Sequence, residues 1–310
     1  MEISLLLAQQ ILQLFLILLM GYAVVRCGLL KAADSRVLSV VMVYLALPCV
    51  VLKAFQIDDS PALRTGLLYA FAIAVLLHLL FLALTAVLKR PLHLDVIEGA
   101  TLIYSNAAAL VIPLVRALLG EEYVVYSCAF VIVQLILLWT HCSTSLQGGG
   151  AIEWKKILLN VNLISIVVGA VLFFAHIPLP GQLLGALNTM GDMVGPLGML
   201  LAGMAIADVP LKQVFGNARG YLSVVLRLLV YPLVVLVCLK VCGAAGMVAD
   251  GKNILLTVYL ACITPACATL TSMAQLYDQD AGFCSVLYVL TTTCSIVTMP
   301  VMIGIYSMWI

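Results

Sequence analysis

Ten long apolar stretches, each bounded by polar or turn-forming residues, run through the chain at approximately 3–25, 37–55, 63–88, 96–119, 123–144, 157–176, 183–207, 220–241, 254–277 and 284–306. Each has the ~20 residues that an α-helix needs to cross a hydrocarbon layer of ~30 Å. The runs are continuous in Leu, Val and Ala rather than alternating with polar residues. That predicts helices and not the strands of a barrel. The longest interruption, Gln147–Lys156, holds Gly148, Gly149 and Gly150 and a Trp-Lys-Lys edge. It divides the spans five and five. The pattern therefore predicts an all-α polytopic membrane protein of ten transmembrane helices. A first five-helix repeat covers 1–146, a connecting loop 147–156 and a second five-helix repeat 157–310.

The two halves share marks. Gly21 and Pro48 recur at one constant offset as Gly169 and Pro196. Further on the offset lengthens, but Ser105-Asn106 still lies opposite Thr264-Pro265, and Glu121 opposite Asp280. An odd number of spans per half makes the second copy enter the membrane from the other side. The expected plan is two inverted repeats, with a binding site at their interface near the midplane.

Composition narrows the function classes. The chain is 65% apolar and 9% charged, with a net charge of +1, where soluble domains have ~25% charged residues. A water-soluble enzyme and a disordered protein are excluded. No basic face exists to meet phosphate, so nucleic acid is not a partner; the lipid bilayer is. The first span has no Lys or Arg before it and Arg26 after it, so it is expected to stay as a helix and not be cleaved as a signal peptide. Arg26, Lys31, Arg36, Lys89, Arg90, Lys155, Lys156, Lys212 and Arg219 fall on one side of the ten spans. Lys53, Arg64, Arg116, Lys240 and Lys252 fall on the other. The richer side marks the cytoplasm, which predicts a cell (cytoplasmic) membrane protein with both termini external. The ten cysteines lie mostly inside spans and have no metal-ligand spacing. They read as packing residues, and no metal or other cofactor is expected.

Chemistry concentrates in the fourth and ninth spans. Eleven residues after Asp95 and Asn253 come Asn106, preceded by Ser105, and Thr264. At ~1.5 Å per residue that is about 16 Å of depth, near the centre of the membrane. Thr264-Pro265 has the form of a helix start, with Thr as cap and Pro at the first helical position. Ser105 and Asn106 can cap in the same way. Each span is thus expected to be two half-helices whose exposed N–H groups require a polar cavity. Each start carries roughly half a positive charge, and two starts facing one cavity make a carboxylate site. Thr269, in the turn after Pro265, joins Ser105, Asn106 and Thr264 as a lining residue.

At these residues the chain resembles the auxin efflux carrier family of membrane transporters, which belongs with the bile acid:sodium symporters in one superfamily. The likeness is carried by Gly21-Tyr22 with Gly28-Leu29-Leu30, Leu45-Ala46-Leu47-Pro48, Ser105-Asn106 with Ile112-Pro113, and Gly195-Pro196-Leu197 with Leu200-Leu201-Ala202-Gly203. Thr264-Pro265-Ala266 with Met273-Ala274 and Tyr277, and Thr291-Thr292-Thr293 with Ser295 and Met299-Pro300, complete the set. The resemblance implies broken helices 4 and 9 that cross, a scaffold from helices 1, 2, 6 and 7, and a mobile, elevator-type transport domain from helices 3–5 and 8–10. It implies small organic anions as substrates, such as auxin, malate or malonate. It also implies Pro113 and Pro265 at the binding site, with Gln134 and Trp139 as neighbours. Dimers occur in the plant branch, which makes a homodimer through the scaffold a candidate assembly. The short central loop is the bacterial form. The plant branch has Asn-Pro where this chain has Thr264-Pro265, so only Asn106 carries over as a site amide.

Ionisable groups in the spans invite roles. Asp192, Glu98 and His78 are candidates for proton or sodium coupling, against the plainer readings of caps, pairs and packing; His141 reads as packing, with a proton relay as its alternative. Arg227 is expected to snorkel to the cytoplasmic interface, with an anion partner as the alternative, and Arg116 to sit at the external one, with the steering of anions as the alternative. No catalytic motif is present. The sequence therefore reads as a secondary-active transporter of small carboxylates working by alternating access, and not an enzyme. The rivals are a sodium-coupled bile-acid-type symporter, an intramembrane lipid-modifying enzyme and an anion channel.

Overall fold

The computed structural model describes residues 2–56, 60–149, 155, 158–208 and 210–310. These residues are overwhelmingly helical, and the β-pairing among them is one isolated bridge. In chain order the elements are α1 (Glu2–Arg26), α2 (Ser35–Val41), α3 (Leu47–Ala54), α4 (Pro61–Lys89), α5 (Val96–Ile103), α6 (Ala107–Leu118), α7 (Val124–Leu137) and α8 (Ser143–Leu146). The second half has α9 (Val161–Phe174), α10 (Gly181–Gly191), α11 (Val194–Asp208), α12 (Leu211–Phe215), α13 (Ala218–Val225), α14 (Tyr231–Val241), α15 (Gly251–Ile263), α16 (Thr269–Leu276) and α17 (Ala281–Trp309).

Among the described residues, six stretches are helical, long and apolar enough to cross a membrane: Ala32–Ala54, Pro61–Lys89, Glu121–Leu146, Gly181–Ala207, Ala218–Val241 and Ala281–Trp309. Phe15–Arg26, Val161–Phe174 and Gly251–Ile263 are apolar but shorter. Part of the expected loop, Gly150–Trp154 and Lys156, lies outside the described residues.

Local chemistry sets the helix starts. Ser60 Oγ accepts from the Leu63 N–H at 3.1 Å, with Pro61 at the first helical position. Asp95 and Glu98 form a capping box at the start of α5, and Asp280 caps α17 through the Phe283 N–H. Single wider π turns occupy Met42–Ala46, Leu138–Cys142 and Leu226–Val230. Two of them run straight into Pro48 and Pro232, whose rings cannot fit the regular ladder behind them.

Inside a bilayer, close packing rather than water exclusion holds helices together. Helix α1 lies along α11 at backbone contact. A Cβ on Gly203 would stand 1.9 Å from the Leu18 carbonyl oxygen, and one on Gly21 would stand 2.2 Å from that of Leu200. Helix α3 packs on α9 and α10, with Gly191 against Val50. Helices α4 and α7 pack along each other, as do α6 and α15, and α17 with α13 and α16. The largest buried cluster surrounds the junctions between α5 and α6 and between α15 and α16.

Candidate functional site: two interrupted helices that meet

Helix α5 stops at Ile103. Tyr104 turns to an extended conformation, with φ −98° and ψ 121°, and α6 begins at Ala107. Helix α15 stops at Ile263, Thr264 is extended at φ −69° and ψ 154°, and α16 begins at Thr269. The two breaks meet as an antiparallel bridge between Ser105 and Ala266. The Asn106 N–H donates to the Pro265 carbonyl at 2.8 Å, and the Cys267 N–H to that of Tyr104 at 3.1 Å.

Side chains from other helices satisfy the rest. Gln134 Oε1 accepts from the Ser105 N–H at 2.9 Å and from its hydroxyl at 2.8 Å, while Gln134 Nε2 donates to the Ser105 carbonyl at 2.8 Å. This amide acts as a third strand. The Thr291 hydroxyl accepts from the Ala266 N–H at 3.2 Å. Arg227 donates to the Leu102 carbonyl at 2.8 Å, and to the Thr264 carbonyl at 3.2 and 3.3 Å. Irregular backbone at membrane depth survives only when protein supplies such partners. Tyr104, Ser105, Thr264 and Arg227 are all fully buried.

Two expectations about the breaks need correction. Thr264 does not cap the following helix. Its hydroxyl donates back to the Ala261 carbonyl at 2.9 Å, and Ala266 is engaged in the bridge to Ser105, so α16 starts four residues after Pro265. Ser105 does not cap α6 either, because Gln134 holds its hydroxyl. Asn106 occupies the cap position with no side-chain cap bond, and among the described residues its amide makes no hydrogen bond. Thr269 opens α16 and is half-buried.

Arg227 corrects a third. It does not snorkel: it is 0% exposed, with its guanidinium 5.8 Å from the Phe81 ring centre. Its place in the π turn before Pro232 lets one side chain reach the C-terminal ends of both α5 and α15. Those ends carry the orphan carbonyls and the negative pole of each helix.

The remaining predicted residues lie apart from the crossing's bonds. The Pro113 ring packs where Gly195 of α11 leaves room, 3.0 Å from a would-be Cβ. Trp139 is half-buried in the π turn after α7, against the main core. His78 is buried, shares a 2.8 Å hydrogen bond between Nδ1 and the Ala74 carbonyl, leans on Phe130 and leaves Nε2 without a partner. His141 is hydrogen-bonded through Nδ1 to the Tyr104 hydroxyl at 3.0 Å. Glu98 is 1% exposed and paired with Arg219 at 2.6 Å.

Asp192 sits exposed where α10 ends. It pairs with Arg116, which also meets Glu121, which in turn meets Lys53. An exposed pair of this kind is worth under ~1 kcal/mol. Asp192→Asn is expected to lower the folding stability of the purified protein by less than about 1 kcal/mol, read by thermal melting. A larger loss would mean that this ion pair helps to hold α10 against α6.

Beside the crossing lies a cavity of about 30 Å³, walled by Phe15 and Leu18 of α1, Leu110 and Leu114 of α6, Met199 of α11, and Thr292, Ser295, Ile296 and Met299 of α17. It holds about one water and has no room for a carboxylate. The Thr292 hydroxyl, next to the crossing's Thr291, is buried without a partner. A larger depression of about 270 Å³, near Ser60, Tyr123 and Asp250, shares no residue with the crossing. No group of His, Cys, Asp and Glu among the described residues could hold a metal ion.

Arg227, Thr292 and the apolar wall were not selected from the sequence as site residues. The available signal for Arg227 was a cation five residues before an intramembrane proline.

No curated protein matches the chain. A family model described as membrane transport protein, that of the auxin efflux carriers, matches residues 6–151 and 149–303. With both halves covered, the chain belongs to this family of membrane transporters.

Proposed function

We propose that the protein is a secondary-active transporter of small organic anions, carboxylates such as malate, malonate or auxin-like acids, across the cytoplasmic membrane. The observation that carries this reading is the meeting of two helix N-termini at the crossing. Helices α6 and α16 both start there, and neither start is closed by a negative side chain. First-turn N–H groups and a positive pole are what a carboxylate seeks; at α16 the Leu270 and Thr271 N–H groups already donate to the Cys267 and Ala268 carbonyls, which leaves the start of α6 as the more open of the two. Asn106 supplies a free amide beside them. In this reading Asn106 and Thr269 touch the substrate, while Ser105, Gln134, Thr264 and Pro265 hold the crossing in shape.

The ten-helix inverted repeat supplies the motion. Helices 1, 2, 6 and 7 (α1, α2–α3, α9, α10–α11) form the scaffold. Helices 3–5 and 8–10 form the transport domain, which slides as an elevator. The small cavity lies where α1 and α11 face α6 and α17, so a substrate enters when these faces part. Pro113 against Gly195 lies on the same sliding surface. An ion gradient, the membrane potential or an exchanged anion supplies the energy. A second copy of the chain would join through the scaffold.

The sodium-coupled reading is less favoured. A cation at the crossing needs free oxygens, but the carbonyls of Leu102, Tyr104, Ser105, Thr264 and Pro265 already accept from Arg227, Cys267, Gln134 and Asn106.

The test is uptake of labelled carboxylates into proteoliposomes. Asn106→Ala is expected to abolish saturable uptake while changing folding stability by less than about 1 kcal/mol. Unchanged uptake kinetics in that variant would contradict the proposal.

A further inference from the structure

We infer that Arg227 tunes the crossing to substrates bearing a single negative charge, and so to monocarboxylates or half-neutralised dicarboxylates over dianions. The inference rests on the anion-transport reading above and narrows its substrate class.

Four helix ends converge at the crossing. The C-termini of α5 and α15 each bring roughly half a negative charge, and the N-termini of α6 and α16 each bring roughly half a positive one. These cancel in pairs. Arg227 adds a whole positive charge at the two negative ends, through the Leu102 and Thr264 carbonyls. Among the described residues no carboxylate pairs with it. The ionisable neighbours that feel its charge are His78, Tyr231, Cys262 and Cys267, none of which is an anion at neutral pH in its ordinary form.

The crossing as a whole is therefore one positive charge in excess, inside protein and lipid. One bound carboxylate neutralises it. A second would leave an uncompensated negative charge in a medium of low dielectric, which is strongly disfavoured. The neighbouring cavity offers a second carboxylate nothing: its wall is apolar apart from Thr292 and Ser295. The buried, unpartnered Thr292 hydroxyl can serve a neutral polar group instead.

Arg227 has no route to the substrate except through the helix ends that it neutralises. It is a positioning and charge-setting residue, and its role must be read in the charge of the ligand rather than in turnover alone. The experiment uses ligand series of nearly constant shape: a diacid, its monoamide and its diamide, on malonate, succinate and phenylmalonate skeletons. Their dissociation constants are measured with the purified full-length protein at about pH 8, where the charges are minus two, minus one and zero.

In the unaltered protein the best-fitting skeleton is expected to bind as the monoamide about tenfold or more tightly than as the diacid. Arg227→Lys keeps that order. Arg227→Gln reverses it in favour of the neutral diamide. Should the Gln variant fail to fold, the unaltered protein and the Lys variant still decide the matter. Diacids that bind as tightly as their monoamides would overturn the inference while leaving the transporter reading intact. Absence of binding by every member, with no uptake of any carboxylate, would overturn both.

Discussion

Arg227→Leu is expected to be among the most damaging single substitutions in the protein. The leucine fills part of the space but donates nothing. The Leu102 and Thr264 carbonyls then lose their partners at full burial. An orphaned buried polar group costs about 1–3 kcal/mol, and two are created together. The negative poles of α5 and α15 also lose the charge that offsets them. A total of about 3–5 kcal/mol is the usual scale for breaking a buried charged contact. Arg227→Lys should recover only part of this, because an ammonium cannot span two carbonyls with a planar fork. Thermal melting of the detergent-purified variants reads the order directly: unaltered protein, then Lys, then Leu. A Leu variant that melts with the unaltered protein would show that the crossing does not depend on this side chain.

Gly203→Val should be comparably harmful by a different route. The first carbon of any side chain at this position meets the Leu18 carbonyl oxygen at 1.9 Å and the Tyr22 nitrogen at 2.7 Å. Both are backbone atoms of α1 and cannot swing aside. The only relief is separation of α1 from α11 along their contact, and in lipid that contact is the source of their association. Overpacking of this kind typically costs 1–3 kcal/mol, and the fixed backbone places Val at about 3 kcal/mol or more. The expected result is a low melting temperature and poor recovery of folded protein. Gly185→Ala, where an added Cβ meets nothing within 4 Å, is the matched control. Equal stability of the Val variant and the control would mean that α1 and α11 do not touch.

Much of this arrangement was legible in the sequence, because membrane burial leaves a strong signature. The apolar stretches and their polar boundaries locate the described helices to within a few residues. The breaks were legible as well, since Ser105-Asn106 and Thr264-Pro265 place polar groups and a proline where lipid would forbid them without a purpose. What escaped was the geometry of the third dimension. Thr264-Pro265 has the form of a helix start, yet the partner strand at Ser105 claims the next residues and delays α16 to Thr269. Gln134 stood out as an amide in an apolar run, but that it would serve three groups of one residue depends on a contact 29 positions away.

Arg227 was misplaced because depth was judged by counting residues from the end of its span. That count assumes a straight helix near the interface, and the π turn at Leu226–Val230 and the inward turn of the side chain both defeat it. For Asp192 the plainer of its two readings, a residue near the interface that pairs, is the one its ion pair with Arg116 at the junction between α10 and α11 supports. The apolar wall of the cavity was invisible in principle, because its residues come from four helices and resemble every other lipid-facing or packing residue.

The most direct measurement is an electron-density or cryo-microscopy map of the protein in lipid with an iodinated monocarboxylate such as 4-iodobenzoate. The account predicts that Tyr104–Asn106 and Thr264–Ala268 interrupt their helices and cross. It places the ligand's carboxylate at the start of α6 beside Asn106, facing the start of α16, and its iodine toward Leu110, Met199 and Thr292. Continuous helices through both segments, or iodine bound only elsewhere, would contradict it.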